Sequence, residues 1–177
     1  MAHLKARRAP KPLTDEALNE LALRYVGRFA TTRAKLQSYL ERKVRERGWE
    51  GDRGPDAARI VQRFAELRYI DDASYALSKT RSLTERGYGK QRVIQAMRVA
   101  GIDESDSEDA RELADSEALS AALRFAQKRR LGPYAVQQLS DPRERQRAIA
   151  AMIRAGHGFE LARKIVALKP GEAPETD

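Results

Sequence analysis

Large apolar side chains recur at helical spacing along almost the whole 177-residue chain, and this periodicity is the feature that most limits its fold. It predicts a first helix from Asp15 to about Phe29, a second from a Thr31–Thr32 cap to Gly48, and a third from Pro55 to Leu67. The sequence contains no alternating run of β-branched residues and no Asn-Gly turn, so it predicts no strand. The sequence therefore predicts an all-α protein.

Three glycines, each followed by a large apolar residue, indicate that these helices form a repeat. The pairs are Gly48–Trp49, Gly101–Ile102 and Gly158–Phe159, and a short helix is expected after each of them. In the third copy the run Gly156–His157–Gly158 leaves two candidate caps. Glycine adopts the left-handed conformation at a helix end, so the next residue can fold back as an apolar plug. We expect Trp49 to be buried in this way. The alternative is coincidence, because glycine ends many unrelated helices.

Composition and the spacing of these pairs together predict three tandem three-helix repeats in an elongated, curved array. Leu, Ile, Val and Phe together contribute 35 residues, about 20% of the chain, which favours several thin cores over one thick core. The expected division is a basic disordered tail at 1–14, helical repeats at 15–70, 71–114 and 115–169, and a second disordered tail at 170–177.

The balance of charge points to an anionic partner. The net charge is +8, from 34 Lys and Arg against 26 Asp and Glu, although residues 103–118 are strongly acidic. The chain has no cysteine, which excludes disulfides, zinc–thiolate sites, iron–sulfur clusters and thiol nucleophiles. No stretch approaches 18 apolar residues, so we expect a soluble, cytoplasmic protein with no membrane partner.

Basic residues cluster at three related positions of the proposed repeat. If the repeats stack, the clusters would form one band that suits nucleic acid or a protein–nucleic-acid filament. The alternative is a set of solvated helix faces with charge pairs between successive turns. The candidate binding residues are Arg42, Lys43, Arg45, Arg47, Arg81, Arg86, Lys90, Arg92, Arg98, Lys128, Arg129 and Arg130.

Catalytic and metal sites are not predicted. Asp71–Asp72 is interpreted as a helix cap, since no nearby residue completes a metal coordination set. The segment Gly87–Lys90 lacks the spacing of a phosphate-binding loop and is interpreted as a turn between helices. His157 has no local Ser or Asp partner and is interpreted as a turn residue, and the acidic run as a solvated helix start. We therefore expect a non-enzyme without cofactor, metal or small-molecule substrate.

The most specific pattern lies in the middle of the chain. The run Arg68–Ala76, with its Tyr-Ile-Asp-Asp centre, is followed by Arg81, by Arg86–Val93 and by Gly101–Ile102. This order resembles the central repeat of the RecX family of regulatory proteins. Arg68 stands where that family usually has glycine before the tyrosine.

Weaker matches extend the resemblance over about residues 15–168. Ala22–Tyr25 and Ser38–Leu40 are similar to the first repeat of the family, and Arg130–Tyr134 and Arg154–Gly156 to its third. The resemblance implies a non-catalytic protein of tandem three-helix repeats that binds the RecA recombinase filament. It further implies inhibition of recombination, RecA ATPase and RecA coprotease activity by groove binding or capping, within the SOS response. Single-stranded or duplex DNA is a further candidate partner.

Two other functions remain open from the sequence alone. A three-helix unit could enter the major groove of duplex DNA as a helix-turn-helix does, without any recombinase. The chain could also be a protein-interaction scaffold that does not involve nucleic acid, in which case salt and DNA would not affect partner binding.

Overall fold

The computed structural model describes residues 11–172, and within this range the chain forms nine α-helices and two short 3₁₀ turns. The helices are α1 (Asp15–Val26), α2 (Arg33–Arg47), α3 (Ala57–Glu66), α4 (Asp72–Glu85), α5 (Lys90–Ala100), α6 (Glu108–Ser116), α7 (Ala118–Arg129), α8 (Pro142–Arg154) and α9 (Phe159–Ala167). These residues contain no strand, only one isolated bridge between Leu13 and Trp49. The all-α prediction is confirmed.

The chain divides into two compact units, Met1–Asp71 and Asp72–Asp177. The first unit holds α1 to α3 around a core that includes Leu18, Leu36 and Phe64. The second unit holds two further groups of three helices, each with its own core. The predicted tandem three-helix architecture is confirmed.

The cores of the second unit are thin because alanine supplies much of the buried surface. Val93 and Met97 are the large residues at the centre of the α4–α6 core, and Met152 and Ile165 fill the same role in the α7–α9 core. Small side chains bring helix backbones close together but bury little apolar area per residue. Each core is therefore small, as the apolar content of the sequence predicts.

Polar side chains cap the helix starts that the sequence analysis located. The Thr32 hydroxyl accepts a hydrogen bond from the Lys35 backbone N–H at 3.3 Å, so the predicted cap of α2 is confirmed. The third helix begins at Ala57, because the Asp56 carboxylate accepts from the Arg59 N–H at 2.9 Å. Satisfying a free N–H in the first turn stabilises each of these starts.

A left-handed glycine, Gly101, ends α5, as predicted. This residue has φ 67° and ψ 35°, and the Ile102 N–H then donates back to the carbonyl oxygen of Met97 at 3.1 Å. Ile102 is buried, as the plug prediction requires. The bond spans five residues, which is the Schellman arrangement of a helix C-terminus.

Of the two candidate caps in the third copy, Gly156 is the one that follows the end of α8, and the pair Gly158–Phe159 is not the plug. Gly158 has φ −66° and precedes α9, and Phe159 is 56% exposed. The left-handed residue is Gly156 with φ 98°, and the plug is His157, whose N–H donates to the carbonyl oxygen of Met152 at 3.1 Å. His157 is 3% exposed and is thus a core residue that occupies the position of Ile102. An apolar residue was expected at this position, and His157 was interpreted as a turn residue.

The first pair also differs from its prediction, at Trp49. This residue is half-buried, and its indole N–H donates to the carbonyl oxygen of Arg53 at 2.6 Å. Its backbone pairs with Leu13, which is fully buried. Trp49 thus packs against the core of the first unit from its edge, whereas Leu13 lies inside that core, so residues 11–14 belong to the first unit and not to a tail.

Two other predicted boundaries shift as well. The expected division between residues 114 and 115 falls inside α6, which continues to Ser116. At the other end, the Gly171 N–H donates to the carbonyl oxygen of Pro133 at 2.9 Å. The chain is therefore hydrogen-bonded to the α7–α9 group as far as Gly171. The rest of the two predicted tails, residues 1–10 and 173–177, lies outside the described residues.

Arg68 ends α3 in the left-handed conformation, with φ 57°. The Tyr69 N–H donates to the carbonyl oxygen of Phe64 at 2.9 Å, so this turn has the same Schellman geometry as the Gly101 turn. The conformation costs a residue with a side chain about 1–2 kcal/mol, which glycine avoids. The usual glycine at this point of the RecX-like signature therefore has a physical reason.

We expect Arg68→Gly to stabilise the protein by about 0.5–1 kcal/mol, because relief of the left-handed strain exceeds the extra backbone entropy lost by glycine. Urea unfolding followed by circular dichroism measures the change. Arg63→Gly, inside α3, is the matched control and should destabilise by about 1 kcal/mol. Equal destabilisation by both substitutions would contradict a strained Arg68.

Candidate functional site

The four basic residues predicted on α2 are not all free charges. The Arg42 guanidinium and the Lys43 ammonium pair with the Glu46 carboxylate at 2.8 and 2.6 Å. Hydrogen bonds from Lys43 and then Arg42 lower the pKa of Glu46. Both cations also lie over the Tyr39 ring, 5.5 and 5.8 Å from its centroid. Two cations thus share one carboxylate within a single helix, as the solvated-face alternative describes, and one positive charge remains.

The remaining two basic residues on α2 differ from each other. Arg47 is half-buried and donates two hydrogen bonds to the carbonyl oxygen of Lys11, at 3.0 and 2.8 Å. Arg45 is exposed. Arg47 therefore serves to hold the start of the described chain to α2.

In the second unit, the turn between α4 and α5 places an aromatic ring close to two arginines. The guanidinium carbons of Arg86 and Arg92 lie 5.4 and 5.8 Å from the centroid of the Tyr88 ring. Both arginines are exposed, as are Arg81 on α4 and Arg98 on α5. Cations at this distance from an aromatic face are attracted by its quadrupole. The turn is therefore a cationic, aromatic surface.

Lys90 is the exception in this second cluster. Its ammonium pairs with the Asp115 carboxylate of α6 at 2.5 Å. Two further acidic residues of the same segment pair inside the unit, Glu117 with Arg124 at 3.2 Å and Glu104 with Arg111 at 3.3 Å. Part of the acidic run thus compensates local cations, and α6 begins with Glu108 and Asp109 as a solvated helix start should.

The third basic cluster meets the second one in space. The Lys128 ammonium donates to the backbone carbonyl oxygen of Arg86 at 3.1 Å, and Arg129 lies over the Phe125 ring at 5.8 Å. Arg130 ends α7 in the left-handed conformation, with φ 54°. The end of α7 is therefore beside the α4–α5 turn, and two of the three predicted clusters form one basic surface within the second unit.

Backbone hydrogen bonds next to two glycines, Gly89 and Gly156, hold the two helical groups of the second unit together. The Gly89 N–H donates to the carbonyl oxygen of Ala155, and the Gln91 N–H to that of Gly156, each at 3.0 Å. A Cβ on Gly89 would lie 2.3 Å from the Gly156 oxygen, so only glycine fits there. The α4–α5 turn and the α8–α9 turn thus touch directly, and we call this contact the repeat junction.

His157 is the polar side chain at the centre of the repeat junction. Its Nε2 lies 3.0 Å from the Gly87 carbonyl oxygen, so Nε2 carries the proton and donates. Nδ1 is buried and has no hydrogen-bond partner in the described part of the chain. Burial lowers the pKa of His157 below its ordinary 6.5, and the Gly87 hydrogen bond only partly opposes this. The neutral ring is therefore the form that fits the junction.

We expect the stability of the protein to fall as the pH decreases from 7.5 to 5.5. The unfolded chain binds a proton on His157 from about pH 6.5 downward, whereas the folded chain resists it until a lower pH. The loss can reach about 1.4 kcal/mol for each pH unit. Urea unfolding of the wild type and of His157→Gln at both pH values measures it. A wild type and a variant with the same pH dependence would contradict this role.

A shallow cavity of about 390 Å³ lies beside the repeat junction, and we call it the junction pocket. Tyr88 and Phe125 provide aromatic walls, and Arg129 and Arg154 lie at its rim. The remaining lining residues are Leu131, Ala148, Ala151 and Ala155. The pocket thus combines an apolar interior with a cationic edge.

Comparison with known proteins assigns the chain to a family. A family model described as RecX, second three-helix domain, matches residues 71–110. A regulatory protein RecX from Myxococcus xanthus is 31% identical over 171 residues, covering 91% of this chain and 90% of that protein. This chain belongs to the RecX family. Its relatives are named as regulators, and one from Agrobacterium fabrum is 30% identical over 81% of this chain and 78% of its own length.

Solved RecX structures share the fold. The crystal structure of RecX from Lactobacillus salivarius superposes with a TM-score of 0.61 at 18% identity, over 85% of this chain and 93% of that one. A second structure, of a regulatory protein RecX, gives a TM-score of 0.60 at 21% identity over 85% and 70%. The tandem three-helix architecture is therefore a property of the RecX family.

The RecX signature has a structural role in this chain. Ile70 is buried in the core of the first unit, and Ala76 is fully buried in the α4–α6 core. Asp72 is the first residue of α4 and is buried as well. The signature therefore encodes the end of one helical group and the start of the next.

Tyr88, Phe125 and Arg154 are the site residues that the sequence analysis did not select. They are distant in sequence and meet only because the repeat junction brings the α4–α5 turn, α7 and α8 together. A partial signal exists at Phe125, which precedes Arg129 by four residues and so shares its helix face.

The described residues hold no group of three or more histidines and carboxylates close enough to bind a metal ion. Among the helices in that part of the chain, none is long and apolar enough to cross a membrane.

Proposed function

We propose that this RecX-family protein is a non-enzymatic regulator that binds the RecA recombinase filament on single-stranded DNA and restrains it. The observation that carries the proposal is the family membership, which rests on 31% identity to a regulatory protein RecX over 91% of the chain. The exposed arginines around the α4–α5 turn supply a surface that suits such a filament. The protein would act in the cytoplasm, where recombination and the SOS response take place.

The proposed mechanism is binding in the helical groove of the filament. The basic surface would bridge neighbouring recombinase protomers or cap the growing end. Recombination, ATP hydrolysis and coprotease activity would then all decrease, because each depends on an intact filament.

The decisive experiment is the ATPase activity of RecA on single-stranded DNA, with increasing amounts of this protein. We expect inhibition at well below one molecule per RecA, since one groove-bound or capping molecule affects many protomers. Unchanged ATPase activity at equimolar protein would overturn the proposal.

Duplex DNA binding without RecA tests the helix-turn-helix alternative. The three-helix units are compatible with that function, and it predicts tight binding to particular duplex sequences. We expect only weak binding that does not depend on sequence and that decreases steeply with salt.

A further inference from the structure

We propose that the junction pocket binds an unpaired base of single-stranded nucleic acid, while the arginines around it bind the flanking phosphates. The inference deepens the function proposed above, because it assigns the nucleic-acid contact of that basic surface to one pocket. It can be tested in the absence of the recombinase.

The shape of the junction pocket suits a flat ring. Ala148 and Ala151 on α8 and Ala155 directly after it follow one another at spacings of three and four, so their methyl groups form one even surface. Tyr88 and Phe125 line the same cavity with aromatic rings. Bases stack on aromatic side chains in proteins that bind single strands. An even apolar surface beside aromatic walls therefore accommodates a base.

The charge around the pocket suits phosphates. Arg129 and Arg154 line it, Arg86 and Arg92 lie against Tyr88, and all four are exposed. None of the described residues that line the pocket is acidic. Guanidinium groups bind phosphate oxygens in bidentate fashion and also stack on bases. This cationic rim contrasts with Lys90, which Asp115 neutralises elsewhere in the same unit.

The chemistry of the lining indicates single strands and little sequence preference. Alanine and leucine side chains offer no hydrogen bonds to the edge of a base, and we assign the arginines of the rim to phosphates, so we expect little preference for the identity of the base. The bases of a duplex are already stacked and paired and cannot enter without disruption. An acidic peptide with an apolar anchor would fit the charge but does not require the aromatic walls.

The test compares two fluorescent oligonucleotides of equal length and equal charge, one of thymidines and one in which every site is abasic. We expect the wild-type protein to bind the thymidine strand about tenfold more tightly at physiological salt, since one stacked base is gained. Tyr88→Leu should abolish most of this difference and leave binding to the abasic strand unchanged. Tyr88→Phe keeps the ring and should keep the difference.

Arginine variants on one helix test the phosphate contacts. Arg154→Gln should weaken binding to both strands and reduce the salt dependence. Arg145→Gln is the matched control, because Arg145 is also exposed on α8 but lines a different groove, with Arg163. Circular dichroism confirms that each variant is folded.

Three outcomes would overturn the inference. The first is equal affinity for the thymidine and abasic strands, and the second is an affinity for a duplex equal to that for the thymidine strand. The third is an equal effect of Arg154→Gln and Arg145→Gln on binding. The inference can fail while RecA is still inhibited, in which case the basic surface contacts the recombinase or an acidic peptide. Conversely, base-dependent binding without any effect on RecA would support the pocket and contradict the proposed function.

Discussion

Gly156→Ser should destabilise the second unit by about 3 kcal/mol or more. Gly156 has φ 98°, a conformation that strains any residue with a side chain. A Cβ here would also lie 2.5 Å from the Arg92 backbone nitrogen and 2.9 Å from the Gly89 oxygen. Both atoms belong to the backbone of the neighbouring helical group, so relief requires the repeat junction to open. Urea unfolding followed by circular dichroism measures the loss.

Gly158→Ser is the control for this prediction. Gly158 has φ −66°, and its Cβ would meet nothing within 4 Å. It is also the N-cap of α9, where serine is favoured. The control should therefore change stability by at most about 0.5 kcal/mol. A similar loss for both serine variants would mean that the close contact at the repeat junction does not exist.

Reversal of the exposed arginines around the α4–α5 turn should abolish inhibition of RecA. The variant replaces Arg81, Arg86, Arg92 and Arg98 with glutamate and leaves Lys90 unchanged, because that ammonium pairs with Asp115. Each exposed site should cost at most about 0.5 kcal/mol of stability, so the protein should stay folded. Loss of four cations removes most of the counterion release that drives binding to a polyanion.

The measurement is RecA ATPase on single-stranded DNA at physiological salt, with circular dichroism to confirm folding. As a control, the exposed acidic residues Asp103, Glu108, Asp109 and Glu112 are replaced by lysine, and inhibition should persist. If the glutamate variant still inhibits normally, the α4–α5 turn is only a solvated face. The binding surface would then lie at Lys128–Arg130 or on α2.

Local chemistry explains why the helices were predictable. Periodicity, the Thr32 cap and the left-handed Gly101 depend on residues within a few positions of each other, so they can be read along the chain. Arg68 shows the limit of this reasoning. Its left-handed φ of 57° is imposed by the helix end, although the residue type gives no sign of it.

Long-range contacts explain why other features were not predictable. Trp49 was expected to be a fully buried plug, yet it is only half-buried, and Leu13, a residue from outside the predicted repeat, is fully buried and pairs with its backbone. His157 was interpreted as a turn residue, yet it is buried against Gly87, 70 positions away in the chain. Neither contact leaves a signature in the local sequence, because the partners come together only when the helices pack.

The sequence by itself determined the all-α architecture, the tandem three-helix groups and the resemblance to the RecX family. These depend on side-chain periodicity, helix-end chemistry and a local signature. Only the tertiary structure decided which basic residues bind distant parts of the chain, as Arg47 and Lys90 do, and which surround the junction pocket. The physical reason is that net charge adds along a chain, whereas a binding surface depends on the distances between side chains that folding brings together.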